Sequence, residues 1–298
     1  FLRYIDPHND QALANYQKLE YYLPVDWYNG GMEHVTRHVI YSRFWHQFLY
    51  DIGVVPTKEP YKKRSAQGLI LGPDGDKMSK SKGNVVNPQD TIDNDGADTL
   101  RLYILFIGDY EQATPWSESG VKGARRFLDK VWRLFDKISD QKDSDAIITL
   151  LHQTIDGVDK DTENTKFNTA IAKLMTFINE ASKEAHISKK TYHTFLKLLN
   201  PYAPHIAEEL NERMGNKETL VFAPYPKADS SKMVSQKITI VISVNGKVRD
   251  KVEVDKDIDK ETLEALALNQ ERIKQFTEGK TIRKVIVVPQ KLVNIVAN

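Results

Sequence analysis

Cysteine is absent from the 298 residues, which excludes disulfides and thiolate zinc sites and fits a reducing, cytoplasmic setting. No apolar run approaches the roughly 20 residues needed to span a bilayer, and the opening residues do not form a signal peptide, so no membrane partner is expected. A His-Glu-x-x-His string is also missing, so the commonest helical zinc signature is not available. The chain does not start with Met, and Phe1-Leu2-Arg3-Tyr4 reads as the middle of a pattern rather than its beginning. Net charge is only +1, so no global field announces a polyanion. Within that total the charge is uneven. Residues 230–298 carry 13 Lys and Arg against 9 Asp and Glu, a balance of +4, which leaves −3 on the rest. With 40% hydrophobic and 28% charged residues, the composition is that of a globular protein long enough for two or three domains.

The most informative stretch is Lys77-Met78-Ser79-Lys80-Ser81-Lys82-Gly83-Asn84. It follows the apolar run Leu69-Ile70-Leu71 and precedes Asn87-Pro88, a pair suited to the cap and first turn of a helix. Lys77 and Lys80 therefore sit on a loop between a strand and a helix, able to bring cations onto a polyphosphate and withdraw them. A bare Lys-x-x-Lys also fits a solvated loop. The whole string, Lys-Met-Ser-Lys-Ser after a short strand, is similar to the second signature of class I aminoacyl-tRNA synthetases.

Upstream, Asp6-Pro7 marks a turn and Asp10 to Tyr22 is expected to be helical. Val25-Asp26-Trp27-Tyr28 reads as a strand ending at Gly30-Gly31, and Glu33 to Gly53 has helical spacing. Strand, tight turn and helix make one unit of a nucleotide-binding α/β sheet, in which the glycines let backbone approach a ligand. Alone, Gly-Gly before a helix is more often just a turn. His34 and His38 are i,i+4 and expected on one helix face, but a metal would need a third ligand and an oriented second shell. Two partly buried histidines are the plainer alternative. Gly30-Gly31-Met32-Glu33-His34 resembles the leucyl-tRNA synthetase form of this turn; the isoleucyl, valyl and methionyl enzymes typically carry Asp where Glu33 stands. Phe1-Leu2-Arg3-Tyr4 resembles the leucyl Trp-Tyr-Phe-Leu-Arg-Tyr string, cut in the middle.

That resemblance implies a set of site residues. Lys80 would contact the phosphates with Lys77 in support, and these two are the catalytic candidates. Gly30, Gly31, Glu33, His34, Gln67, Met78, Ser79, Lys80 and Ser81 would bind ATP, with Gln67 and Met78 near the adenine and the serines holding the loop. His38 would border the amino-acid pocket. Magnesium would arrive with ATP rather than sit in a protein site, and no metal site, zinc included, is expected.

Gln67 to Gly72 is expected to form the last sheet strand, with a tight turn at Pro73-Asp74-Gly75-Asp76. The domain that many bacterial leucyl enzymes insert near here has no counterpart. Pro88 to Gly108 reads as helix, turn at Asp95-Gly96, helix. Ala97 to Tyr103 resembles the family's stem-contact joint, where Asp98 and Arg101 would serve packing. Glu118 to Ser139 shows an inward stripe of Val121, Ala124, Leu128, Val131, Phe135 and Ile138. Lys122, Arg126, Lys130, Arg133 and Lys137 form a second stripe that suits RNA phosphate or plain solvent equally. Helices are expected at 145–155, 166–186 and 189–212. The last is broken by Pro201 and Pro204, with His205 as a helix-start residue. Tyr225 stands where the family usually has Trp.

Residues 227–235 read as a linker, and 237–298 as an α+β unit. There two strands meet at Asn245-Gly246, a strong hairpin turn. Val248, Val252 and Val254 are expected to face inward, with Lys247, Arg249 and Lys251 on a cationic outer face suited to phosphate. Helices at 261–268 and 271–278 and strands at 282–288 and 292–296 complete the unit, which resembles the C-terminal domain of bacterial leucyl enzymes.

The expected fold class is thus multidomain: α/β, all-α and α+β. Residues 1–115 would be a remnant of a Rossmann-type catalytic sheet, 116–228 a class Ia anticodon-binding helix bundle, and 229–298 a small α+β tRNA-binding domain. The resemblance implies a leucine–tRNA ligase, with leucine, ATP and tRNA-Leu as partners. The first class I signature, His-x-Gly-His, is absent, and so is any editing domain. The chain is therefore expected to be inactive alone. It would complete its site with an N-terminal half, act as a stand-alone tRNA-binding module, or belong to another class I synthetase of similar specificity.

Overall fold

A computed structural model describes residues 1–234, 237–256 and 258–298. Two compact units emerge, one of residues 1–141 and 156–226, the other of 142–155 and 227–298. Among the described residues no helix is long and apolar enough to cross a membrane.

Helix α1 (Tyr16–Tyr22) begins where the Asn15 side chain accepts the N–H groups of Gln17 and Lys18. It is shorter than the expected 10–22. Local side chains hold the preceding segment in turns instead, with Asn9 accepting from the N–H of Gln11 and Ala12 and Arg3 donating to the carbonyls of Ala12 and Leu13. Strand β1 (Tyr28–Asn29) pairs in parallel with β2 (Arg64–Ser65), and Val25 adds a bridge to Tyr61. Strand β3 (Ile70–Leu71) pairs in parallel with β4 (Thr114–Pro115). The expected strand at 67–72 is therefore reduced to two residues, and β4, unforeseen, lies beyond it.

The helix expected over 33–53 is divided. Met32–Thr36 is a 3-10 turn, Arg37 leaves the helical region at φ −126 and ψ −106, and α2 (His38–Asp51) starts anew. His34 and His38 consequently do not share the face of one helix.

Helices α3 (Pro88–Asp95) and α4 (Ala97–Phe106) flank the turn at Gly96, and Asn87 caps α3 as its sequence implied. Helix α5 (Glu118–Leu134) buries Val121, Ala124, Leu128 and Val131, joined by Phe127 and Leu134, while Phe135–Lys137 tightens to 3-10. Strand β5 (Ile138–Ser139) precedes α6 (Asp145–Glu163), which crosses from the second unit into the first. Helix α7 (Phe167–Ala181) buries Ile171, Leu174, Phe177, Ile178 and Ala181. Strand β6 (Ile187–Ser188) pairs with β5, and α8 (Lys189–Leu199) and α9 (Pro204–Arg213) follow on either side of the prolyl break. At that break Asp98 of α4 accepts the N–H of Ile206 at 2.7 Å and bonds His205 Nδ1 at 2.8 Å, so His205 stands at a helix start.

In the second unit, residues 227–234 are not free linker. Asp229 N–H donates to His152 at 3.0 Å and Gln153 donates to the Met233 carbonyl at 2.8 Å. Ser235, the end of the expected linker, lies outside the described residues. A four-stranded sheet follows, of β7 (Lys237–Val244), β8 (Lys247–Asp255), β9 (Ile282–Val288) and β10 (Leu292–Ala297) in the order β8-β7-β10-β9. Only β7 and β10 run parallel. Helices α10 (Lys260–Asn269) and α11 (Glu271–Thr277) contribute Leu263, Ala267 and Ile273 to a core with Ile240, Ile242, Val293 and Ile295. The hairpin turn is as expected, with Asn245 and Gly246 at φ 51 and 77.

One expectation fails here. The β7–β8 register shifts between Ile242 and Ser243, so Ile242 faces Asp250 but Ser243 faces Val248. A one-residue slip exchanges the two faces of a strand. Val248 is 59% exposed rather than inward, and Arg249 turns its guanidinium over the Phe276 ring at 4.1 Å rather than joining a cationic outer face.

Candidate functional site

The first half of the site is built at the ends of β1 and β2. Gly30 N–H reaches the Ser65 carbonyl at 3.4 Å, carrying the sheet pairing into the turn. At Gly31 an added Cβ would lie 2.3 Å from Glu33 Oε2, so the missing side chain is what lets the Glu33 carboxylate fold back over the turn. The His34 ring lies beside Gly30. His38, exposed at the start of α2, is hydrogen-bonded through Nδ1 to the Tyr28 hydroxyl at 2.9 Å, and the two rings stack with centroids 5.6 Å apart. A side chain of β1 thus orients His38 at the start of α2.

Gln67 is exposed between β2 and β3 and lines a cavity of about 210 Å³ with Leu69, Ile104, Tyr110 and Thr114. Tyr110 ties the two parts of the site together. Its hydroxyl donates to Asn29 at 2.9 Å, and its carbonyl accepts from Gly68 at 2.8 Å. Gly68 itself runs against backbone: an added Cβ would meet the Gln112 carbonyl oxygen at 2.0 Å.

The lysine loop leaves β3 through the turn at Pro73–Asp76, closed by Gly72 N–H to the Asp76 carbonyl at 2.7 Å. Asn84 then pins its two ends together. Its side-chain oxygen accepts Ser79 N–H at 2.8 Å, while its amide donates to both Asp74 oxygens at 3.1 and 3.0 Å. That amide, with Asp76 N–H, holds the Asp74 carboxyl below the usual carboxylate range. The Ser79 and Ser81 hydroxyls bond each other at 2.8 Å, and Lys80–Lys82 forms a 3-10 turn. Lys82 is neutralised by Asp76 at 2.8 Å. Lys77 and Lys80 are exposed and, among the described residues, make no ion pair. Met78 is half-buried. Among the described residues no hydrogen bond or ion pair joins this loop to the Gly30–His38 turn; each half is organised locally.

Asn84, Asp74 and Tyr110 were not foreseen. Asn84 follows Gly83 directly behind the lysine string, and a short side chain that both donates and accepts was the available signal. Tyr110 lies 81 residues from Asn29, and nothing local marks it.

The second basic stripe is partly committed within the fold. Lys122 pairs with Asp95 at 2.8 Å, Lys130 donates to Asn179 at 2.7 Å, and Lys137 holds the Ser182 and Glu184 carbonyls. Arg126 and Arg133 are exposed, and Arg133 borders a groove of about 670 Å³ with Trp132, Asp98 and His205. In the second unit Lys247 and Lys251 are exposed. Among the described residues no cluster of three His, Cys, Asp or Glu is arranged to hold a metal.

Comparison with known proteins bears on the family of the chain. Residues 9–117 match the tRNA synthetases class I (I, L, M and V), and residues 145–264 match the anticodon-binding domain of tRNA ligase. The chain belongs to the class I aminoacyl-tRNA synthetases. Within that class it is similar to a leucyl enzyme. The ternary complex of the Agrobacterium radiobacter K84 agnB2 LeuRS with tRNA and LeuAMS superposes with a TM-score of 0.71 at 28% identity, over 100% of this chain and 41% of that one. The chain thus spans well under half the length of that relative. Its multidomain character, α/β beside helical, is that of the family.

Proposed function

We propose that this chain carries the Lys-Met-Ser-Lys-Ser half of a leucine–tRNA ligase site, together with the parts that hold tRNA-Leu, and works in the cytoplasm. The observation that carries the proposal is the state of the loop. Of its three lysines, Lys82 is consumed by Asp76, while Lys77 and Lys80 stay free on a frame fixed by Asn84. Two unpaired ammonium groups on a solvent-facing turn are what a polyphosphate requires.

In the proposed reaction the leucine carboxylate attacks the α-phosphorus of ATP and the bond to the bridging oxygen breaks. Leucyl-adenylate and pyrophosphate result. Charge grows on the departing oxygens, where Lys80, supported by Lys77, neutralises it; magnesium enters bound to ATP. Little covalent work is asked of the protein, because positioning and charge stabilisation supply the rate. Gly30, Gly31, Glu33 and His34 would hold the adenosine, with the carboxylate accepting from ribose hydroxyls. Gln67 and Met78 would lie by the adenine, Ser79 and Ser81 would keep the loop in shape, and His38, fixed by Tyr28, would border the leucine pocket. The leucyl group then passes to the tRNA 3′ end. Residues 1–115, 116–228 and 229–298 would serve catalysis, anticodon-side binding and tRNA anchoring in turn.

Leucine-dependent pyrophosphate exchange tests this. The chain alone should give none. Combined with the rest of a leucyl enzyme from the same source it should exchange with leucine and not with isoleucine, valine or methionine. Lys80→Ala should lower that rate about 100-fold, in line with loss of one charge-stabilising donor. Exchange with a different amino acid, or a rate indifferent to Lys80, would refute the assignment.

A further inference from the structure

The connection from α4 to β4, residues 107–113, is a loop, yet one residue in it is held on three sides. Tyr110 is half-buried. Its carbonyl accepts the Gly68 N–H at 2.8 Å, next to Gln67. Its hydroxyl donates to the Asn29 side-chain oxygen at 2.9 Å, one residue before the Gly30-Gly31 turn. Its ring stands edge-on to Phe167, with centroids 5.3 Å apart and planes at 89°. Edge-to-face contact is a preferred geometry of two aromatic rings and adds to what their burial contributes.

Phe167 opens α7 and is itself anchored. Its ring meets that of Tyr202, which is 2% exposed, at 6.4 Å and 72°, and the Tyr202 hydroxyl is hydrogen-bonded to Thr162 of α6. Main chain closes the corner between α6 and α7: Thr165 N–H reaches the Thr162 carbonyl at 3.1 Å, and Lys166 N–H the Asp161 carbonyl at 2.8 Å. The Asp161 carboxylate holds Lys173 and, at 2.7 Å, the Thr169 hydroxyl, both of α7. The helical side is therefore a rigid seat. The turn is not. Strand β1 is two residues long, Asn29 is exposed, and the Gly30 N–H bond to the Ser65 carbonyl is stretched to 3.4 Å. The Ser65 hydroxyl also reaches the Asn29 side chain, but only at 3.5 Å. Tyr110 supplies the shorter bond, and its ring carries the position of the bundle to the turn.

We infer that Tyr110 is a positioning residue for the nucleotide. Seated on Phe167, it sets the Gly30-Gly31 turn and the start of β3 in fixed relation to each other. This rests on the reading in which that turn and Gln67 take the adenosine of ATP. The role lies in binding rather than in charge stabilisation. Adenosine is gripped alike before and during adenylate formation, so a loosened turn weakens both states equally; KM for ATP rises and kcat stays. Loss of Lys80 acts the other way, on kcat.

Two measurements test the assignment. In the chain alone, Tyr110→Phe removes the hydroxyl and keeps the ring and the Gly68 bond. Deuterium exchange at the Gly30 and His34 amides, both bonded at the turn, should speed about fivefold with the urea midpoint little changed, as one lost hydrogen bond implies. Asn29→Ala removes the same bond from its exposed end and serves should Tyr110→Phe fold poorly. The double variant should do no more than either single one. Phe167→Leu should loosen the same two amides with the hydroxyl intact, while exchange within α5 stays as in the wild type. Combined with the rest of a leucyl enzyme from the same source, Tyr110→Phe should raise KM for ATP about fivefold in pyrophosphate exchange and leave kcat and KM for leucine unaltered. Unchanged exchange at Gly30 and His34, additive effects of Asn29 and Tyr110, loosening of α5 together with the turn, or a lowered kcat at normal KM would each overturn the inference. Failure of the functional reading looks different: Tyr110-dependent protection of the turn, with no leucine-dependent pyrophosphate exchange even in the wild type, keeps the link from bundle to turn and removes the ligase.

Discussion

Asn84 and Asp74 clasp the lysine loop at its base: the Asn84 amide donates to both carboxylate oxygens of Asp74, at 3.1 and 3.0 Å. The same side chain accepts the N–H of Ser79. Its amide also reaches the Lys77 carbonyl at 3.4 Å, so four bonds to one half-buried residue fix the start and end of the loop while leaving the Lys77 and Lys80 ammonium groups unengaged. Replacement by Ala removes all four, a loss of about 1 kcal/mol per bond at most that falls on the loop itself. Asn84→Ala should therefore leave global stability nearly unchanged, yet speed amide exchange at Ser79 about tenfold. In the reassembled enzyme it should slow adenylate formation more than it weakens ATP binding. Amide exchange followed residue by residue checks the first effect and pyrophosphate-exchange kinetics the second.

Gly68 makes a different prediction, because it is packed against main chain. The Cβ of an alanine would fall 2.0 Å from the Gln112 carbonyl oxygen and 2.9 Å from Ala113 N. Backbone cannot swing aside as a side chain can, so β3 must move away from the 112–114 segment that pairs with it. Overpacking of this kind costs about 1–3 kcal/mol. Gly68→Ala should lower the urea midpoint of the first unit accordingly. It should also disturb the Tyr110 link to Asn29, which a shift in the Tyr110 ring resonances would report.

Much of the fold was legible because its signals are local. The 3,4 spacing of Val121, Ala124, Leu128 and Val131, the Asn87-Pro88 cap, the prolyl break before α9 and the Asn245-Gly246 turn each specify their own geometry. The lysine string was legible for the same reason. What sequence did not disclose depends on partners distant along the chain. Tyr110 acts on Asn29, and β4 completes β3 from more than 40 residues away. The slip in β8 exchanges the faces of Val248 and Arg249, and a period-2 pattern gives no sign of one extra residue. Helix α2 misled in another way: its apolar spacing is regular, but it does not say which side of the helix is covered.

His46 is buried on the inner side of α2, where its Nε2–H donates to the Thr57 carbonyl at 2.8 Å and its Nδ1 has no partner. Burial pushes its pKa below the usual 6.5, against smaller opposing effects of Thr57 and Glu59. The neutral ring is thus preferred in the folded state, and the unfolded chain binds the proton more readily. The corresponding stability is complete above about pH 6.5 and is lost as pH falls through the lower folded value. Acidification from pH 7.5 to 5.5 should lower the urea midpoint of the wild type more than that of His46→Gln, which keeps a donor for Thr57 but cannot titrate. Parallel midpoints across that range would show that His46 binds the proton as readily in the folded state as in the unfolded one.

Arg249 and Lys251, two residues apart on β8, were expected to act alike on tRNA, and the structure separates them. Arg249 lies with its guanidinium over Phe276 of α11 and a buried Nε without a partner, whereas Lys251 opposes Val241 and stays exposed. A cation over an aromatic ring contributes about 0.5–1 kcal/mol near the surface, more once desolvated. Arg249→Ala should therefore destabilise the second unit by about 1 kcal/mol, and where that unit remains folded it should change tRNA affinity little. Lys251→Ala should leave stability unaltered. If the exposed face of the sheet meets phosphate, it should weaken tRNA binding and reduce the slope of log affinity against log salt by about 1. Titrations at several salt concentrations, beside urea melts of both variants, distinguish the roles. An unchanged salt slope for Lys251→Ala would move the tRNA contact off this face of the sheet, and a reduced slope for Arg249→Ala with normal stability would mean that its guanidinium leaves Phe276 to meet the nucleic acid.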